Sequence, residues 1–254
     1  MRDNRVQSVT RAIELLKQIC SQSQGIGIAD LARQADLHKS TVSRLIRTLE
    51  AAGAVQRIGK RSIVQIQPDF ARRFLPLHHP NTLVAIIRPF LHELSLQFGE
   101  AAGLAVPDGD QALYLDQVSP DTIIQVRDWT GSRIPLHAVA PGKLFLAYQP
   151  PEAQEKYLAQ PLASYTPQTL TDSAQLRAAL QEIRESGISW IFNEYAQELT
   201  AVAAPIFDQQ EAVIAALVLF APSYRFPKPD QTDQINTAMR TYAAKCTAQL
   251  EAFV

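Results

Sequence analysis

At 254 residues, 46% of them hydrophobic and 19% charged, the chain reads as a soluble globular protein, longer than one typical domain and shorter than three. Its formal net charge of −1 conceals an asymmetry: residues 1–75 hold 13 Lys+Arg against 6 Asp+Glu, a balance of +7, while the remainder hold 11 against 19, a balance of −8. A small basic module joined to a larger acidic one excludes an evenly charged surface and points to a polyanion partner for the first part only.

The start, Met1-Arg2-Asp3-Asn4, is polar and no apolar stretch follows that could serve as a signal peptide, so the expectation is a cytoplasmic protein. Val9, Ala12, Ile13, Leu16, Ile19 and Cys20 recur at helical spacing, which predicts an amphipathic helix over 6–21 with Cys20 as a small hydrophobe on its core stripe. The run Ser21 to Gly27 breaks the pattern, and a second short helix is expected from Ile28 to Ala35 with Gly27 as N-cap. After a tight Asp36-Leu37-His38 turn, a third helix over 39–52 buries Val42, Leu45, Ile46 and Leu49 and ends at Gly53. Its opposite face carries Ser40, Thr41, Ser43, Arg44, Arg47 and Thr48.

A short helix, a turn of three or four residues and a helix presenting hydroxyls and arginines are what reading a DNA groove requires. Two β-rich pieces, Val55 to Ile58 and Ile63 to Ile66, then flank Gly59-Lys60-Arg61, a hairpin with a basic tip of the kind called a wing. Arg44 and Arg47 have the chemistry for guanine O6 and N7 or for phosphates. Lys60 and Arg61 suit phosphate or a minor groove, Arg57 either role, and Ser40 and Thr41 can donate to phosphate beside free backbone N–H groups.

Pro68, Pro76 and Pro80 mark a boundary, so the expected division is a DNA-binding domain at 1–75, a linker helix at 76–88 and a larger domain at 89–254. Pro89 is read as opening a helix that ends near Phe98. Strands are expected at 101–106, 112–118 and 123–129, helices at 142–147, 152–158 and 173–186, strands again at 187–194, 200–207 and 213–220, and a closing helix at 229–253. Strands in hairpin-like pairs with helices between them indicate an α+β domain with a mainly antiparallel sheet, joined to a mainly α winged helix-turn-helix. The longest apolar run, Ala212 to Pro222, is too short to span a bilayer and no membrane partner is expected. Cys20 and Cys246 share no Cys-x-x-Cys spacing and no nearby His set, so neither a disulfide framework nor a metal site is expected, and no cofactor is called for.

VQSVTRAIELL at 6–16, HKSTVSRLIRTLEAAG at 38–53, GSRIPLHAVAPGKLFLA at 131–147, and AAPIFD followed by AALVLFAP together resemble, in order, successive blocks of the IclR family of bacterial transcriptional regulators. The resemblance implies an N-terminal winged helix, a linker helix and a C-terminal effector domain similar to the GAF fold, assembled as a homodimer or a dimer of dimers. It also implies an effector pocket at Ile134, Ala140, Pro141, Ile191, Leu199, Ala201, Val218 and Phe220. The chain departs from the family pattern at Asp36, Glu198 and Ala221, where a glycine is usual, and at the pocket, where polar residues common in relatives give way to apolar ones.

A buried carboxylate without donors costs several kcal/mol, roughly, so such a pocket suits an apolar or aromatic effector held by a few backbone N–H groups better than a glyoxylate-sized acid. The alternative is a domain whose pocket is filled by its own side chains and takes no ligand. An enzyme is the rival class, with His137, Lys143, Asp116, Asp128 and Cys246 as conceivable catalytic groups in a cleft near His137 and Lys143. No Gly-x-Ser-x-Gly, metal-spaced His pair or carboxylate pair accompanies them, and the expectation is no catalytic residue. The DNA target expected of a dimeric regulator is an inverted repeat, because a single short recognition helix reads too few base pairs.

Overall fold

The structure, a computed structural model, describes residues 6–22, 25–59, 63–76, 79–122 and 125–252. It divides into two compact units, 1–85 and 86–254, the division falling inside one helix.

The first unit contains α1 (Gln7–Cys20), β1 (Ile26–Gly27), α2 (Ile28–Gln34), α3 (Lys39–Ala51), the hairpin β2 (Val55–Ile58) and β3 (Ile63–Ile66), and α4 (Pro68–Phe74). Among the described residues its strands form one antiparallel sheet in the order β1-β3-β2, with Val55 opposite Ile66 and Ile58 opposite Ile63. The core is Leu15, Ile19, Leu31, Val42, Ile46, Val55 and Val64, all fully buried or nearly so. The expected stripe on α1 needs correction: Leu15, outside that stripe, is fully buried, whereas Val9 and Ile13 are 54% and 49% exposed. The segment after Pro68 is also more ordered than its prolines suggested. Pro68 opens α4, Gln67 caps it by accepting from the Phe70 N–H at 3.0 Å, and Thr82 Oγ1 donates to the Ala71 carbonyl at 3.3 Å.

Helix α5 (Pro80–Phe98) runs unbroken through Pro89, correcting the expectation of two helices meeting there. The second unit then places β4 (Ala101–Asp108), β5 (Gln111–Val118), β6 (Arg133–Pro135), a 3-10 turn at Leu136–Ala138, α6 (Ala140–Tyr148), α7 (Pro151–Leu158) and α8 (Ser173–Ser186). It closes with β7 (Ser189–Phe192), β8 (Leu199–Phe207), β9 (Val213–Pro222) and α9 (Thr232–Glu251). Its described strands form one antiparallel sheet in the order β6-β5-β4-β9-β8-β7. A strand expected at 123–129 is absent from 125–129, while Ile123 and Ile124 lie outside the described residues. Strand β6, too short to show a period in sequence, instead pairs with β5 through Ala112 and Ile134.

Side chains alternate between the two faces of this sheet. One face carries Ala101, Ala105, Ile191, Ala201, Ala203, Val218 and Phe220 against α6 and α8, which contribute Leu144, Phe145, Leu176, Leu180 and Ile183 to the same core. The intervening residues, Val202, Ala204, Leu217 and Leu219, are fully buried on the opposite face. Gly142 is required in α6, since a Cβ there would stand 2.3 Å from the Leu136 carbonyl oxygen. That close approach presses the start of α6 against the 3-10 turn and so places Lys143. No helix among the described residues is long and apolar enough to cross a membrane.

Candidate nucleic-acid interface and effector core

The turn between α2 and α3 is set by hydrogen bonding. Ala35 ends α2, Leu37 N–H donates to the Ala32 carbonyl at 3.0 Å and Asp36 N–H to that of Arg33 at 3.4 Å, with Asp36 at φ +50°. This 6→1 and 5→2 pair needs a left-handed residue at its centre, a conformation Asp tolerates better than most. Gly53 does the same after α3, at φ +72°, with Ala54 N–H donating to Leu49 and Gly53 N–H to Glu50. His38 caps the start of α3: its Nδ1 accepts from the Ser40 N–H at 3.4 Å and lies 2.7 Å from Ser40 Oγ.

With Val42, Leu45 and Ile46 pointing inward, α3 leaves Lys39, Ser40, Arg44, Arg47 and Thr48 exposed and Thr41 and Ser43 half-buried. Neither Arg44 nor Arg47 makes an ion pair with any described residue, and Thr48 Oγ1 donates to the Arg44 carbonyl at 3.2 Å. Arg57 on β2 is held differently, half-buried with Nε 3.3 Å from Glu50 Oε2 on α3. Lys60 and Arg61 lie outside the described residues. The site residues on α3 therefore share one outward face, and Arg57 is tied back to that helix.

In the second unit, Ile134, Ala140, Ile191, Ala201, Val218 and Phe220 are 0–4% exposed and belong to one core; Pro141 is buried at the start of α6, and Leu199 packs on the cluster. The register explains how distant segments meet: Ile191 is opposite Ala201, Ala201 opposite Phe220, and Phe220 opposite Ala101. Small residues surround the Phe220 ring, which meets Tyr114 edge-on at 6.4 Å, and a Cβ on Gly103 would stand 3.0 Å from its Cε1.

Beside this core lies a polar and aromatic cluster in which sequence reasoning named Lys143 but missed its partner Glu194 and the aromatic side chains around it. Lys143 Nζ, 2% exposed, donates to Glu194 Oε2 at 2.5 Å. Burial pulls the Lys143 ammonium below its ordinary range and pushes the Glu194 carboxyl above its own, each partly offset by the other. Tyr195 packs against Trp129 at 5.6 Å and Tyr165 at 4.9 Å, and lies near enough to Tyr114 to add to the upward shift that burial gives that phenol. One signal was available: Lys143 stands inside an otherwise apolar and small run, Ala140 to Ala147.

The enzyme alternative near His137 and Lys143 is corrected by these contacts. His137 is buried, with Nε2 2.9 Å from the Ala163 carbonyl and Nδ1 3.0 Å from the Tyr157 hydroxyl, so both ring nitrogens are occupied structurally. Asp116 pairs with Arg88, Asp128 Oδ1 accepts from Thr130, and Cys246 is a core residue whose thiol is pushed up to about 12 by burial.

The described pattern is matched by known sequences. Residues 8–59 match the IclR helix-turn-helix domain, and residues 77–248 match the bacterial transcriptional regulator IclR C-terminal domain. An HTH-type transcriptional regulator of Mycobacterium tuberculosis is 33% identical over 225 residues, covering 89% of this chain and 86% of that protein. The transcriptional repressor IclR of Escherichia coli is 32% identical over 223 residues, covering 87% and 81%. Among solved structures, an IclR homologue of Microbacterium hydrocarbonoxydans complexed with 4-hydroxybenzoate superposes with a TM-score of 0.62 at 24% identity, covering 97% and 100%, a likeness of fold. The relatives are regulators, which sets the enzyme class aside.

Proposed function

The chain belongs to the IclR family of bacterial transcriptional regulators, and from that premise we propose that it binds an inverted-repeat operator as a cytoplasmic homodimer or dimer of dimers, under control of an apolar or aromatic effector. The observation carrying this reading is the outward face of α3, where Arg44 and Arg47 stand exposed without an ionic partner among the described residues. Ser40, Thr41, Ser43, Arg44, Arg47 and Thr48 form the reading face, Arg57 braces it through Glu50, and Lys60 and Arg61 meet the phosphate backbone. Residues 1–75 carry the DNA affinity, 76–88 link, and 89–254 sense and assemble.

Besides the contact made by 89–254, the two-fold partner covers the apolar surface left open on the first unit. Val9 and Ile13 of α1 and Phe74 of α4 are about half exposed or more, and Ile13, Leu16, Cys20, Phe70, Phe74 and Leu75 line a groove of about 450 Å³ there. A second copy presenting the same surface would cover it.

The effector reading is supported by the absence of charged side chains at Ile134, Ala140, Pro141, Ile191, Leu199, Ala201, Val218 and Phe220, and by the aromatic acid carried by the Microbacterium homologue. A second reading, an occluded domain without ligand, is favoured by the Phe220 ring lying over Gly103. Purifying the protein and sequencing the genomic DNA it retains tests the central proposal: enrichment of inverted repeats upstream of genes is expected, and recovery no better than random fragments would defeat it.

A further inference from the structure

Ile134, Ala140, Ile191, Ala201, Val218 and Phe220 of the effector core are almost sealed from solvent, so a ligand reaches them only if a covering segment moves. Resting on the effector reading, we propose that Lys143 and Glu194 are positioning residues for ligand access: their ion pair latches the strap 193–198, which roofs the core between β7 and β8.

Four observations converge on this strap. It joins Phe192, next to Ile191, to Leu199, so its movement loosens the end of the sheet that carries these two residues of the effector core. Asn193 and Glu198 stand at its two ends at φ +59° and +61°, left-handed positions for non-glycine residues that reverse the chain on each side. Its fastenings are polar and specific: Glu194 Oε2 to Lys143 Nζ, the Glu194 carbonyl accepting from Thr169 Oγ1 at 2.6 Å, and the Asn193 carbonyl accepting from Thr166 Oγ1 at 2.6 Å. Its one aromatic side chain, Tyr195, lies against Trp129 and Tyr165 and near Tyr114, whose ring in turn meets Phe220.

A buried ion pair is a poor general stabiliser, since desolvation cancels most of its attraction, yet losing one partner leaves the other charge exposed to a low dielectric. The intact pair therefore differs little between a seated and a lifted strap, whereas removing one partner penalises only the seated strap, where the remaining charge is buried. In the seated state both charges are satisfied; in the lifted state water solvates both. Lifting the strap gives up the packing of Tyr195 on Trp129 and Tyr165, while the pairing of β8 with β9 does not depend on it, so opening is local.

The test uses the full chain without ligand. Hydrogen–deuterium exchange is followed at the amides of 194–198 and at those of β8 and β9, and acrylamide quenching of Trp129 is read in a Trp190→Phe background. Glu194→Gln and Lys143→Met are each expected to speed exchange of the strap at least tenfold and to raise Trp129 quenching, while β8 and β9 keep their protection. The length-compensated pair Lys143→Arg with Glu194→Asp is expected to restore both. Overturning results are faster exchange spread equally over strap, β8 and β9, which marks a structural pair, or an unchanged strap in both single variants. The effector reading itself stands or falls separately on the compound screen described below, because these measurements involve no ligand.

Discussion

Replacing Arg44 by Ala separates DNA reading from folding. Arg44 is exposed on α3, makes no ion pair with a described residue, and its hydrogen bond with Thr48 uses the backbone carbonyl that alanine keeps. Alanine is also the better helix former, so folding stability should move by no more than about 0.5 kcal/mol. A bidentate contact to guanine is worth about 1–3 kcal/mol of discrimination, and a two-fold operator applies the loss in both half-sites, for a total of about 2–6 kcal/mol. The assay is a fluorescence-anisotropy titration of the cognate operator and a scrambled duplex at several salt concentrations, with thermal melts alongside. Affinity for the operator should fall by well over tenfold while the scrambled duplex and the melting temperature hold steady. Equal weakening on both duplexes with a shallower salt slope would make Arg44 a phosphate contact, and unchanged operator affinity would refute the reasoning for this residue.

Replacing both Lys60 and Arg61 by Ala should lower specific and nonspecific affinity alike and flatten the log–log salt dependence by about one unit per lost phosphate contact; altered sequence preference with the same slope would contradict it. Ile13→Asp, which puts a charge on the open face of α1, should shift the sedimentation of the protein toward a smaller species, and an unchanged assembly would remove that face from the interface. The buried His137 has its pKa held below the usual range, chiefly by burial, so the unfolded chain takes up its proton first. The stability it contributes is complete above about pH 6.5 and is lost as the pH falls from there toward the folded value; melting curves from pH 7 to 5 should therefore drop more steeply for the wild type than for His137→Gln, and parallel curves would refute this. In a thermal-shift and DNA-release screen, aromatic compounds should act and glyoxylate and pyruvate should not, while Ala201→Phe, which sets a second ring opposite Phe220, should abolish the response; tight binding of either small acid, or an aromatic acting equally on the variant, would sink the pocket assignment.

The outward face of α3, proposed to read DNA, was legible because its determinants are local. Helical spacing over 39–52 sets which side chains of α3 face outward, and the turn before it depends on one residue, Asp36, whose left-handed conformation follows from its place after α2. Residue type alone, however, could not separate Arg44 on α3 from Arg57 on β2, because the pairing of Arg57 with Glu50 depends on the hairpin returning beside α3. Nor could periodicity distinguish an apolar side chain in the core from one left open, as Leu15 and Val9 show, since helical spacing finds a stripe and only packing chooses its edge.

The core proposed to take an effector lies further still from local sequence. Ile191, Ala201, Phe220 and Ala101 become neighbours through the β4-β9-β8-β7 order, and the expectation that the first three line a pocket came from resemblance to a family and not from composition or spacing. Lys143 was visible as a cation in an apolar helix, but its partner Glu194 is 51 residues away, and its burial is a property of the assembled domain. Helix and strand patterns are written in distances of two to four residues, whereas charge pairing, burial and access to a core are decided by which segments tertiary structure brings together.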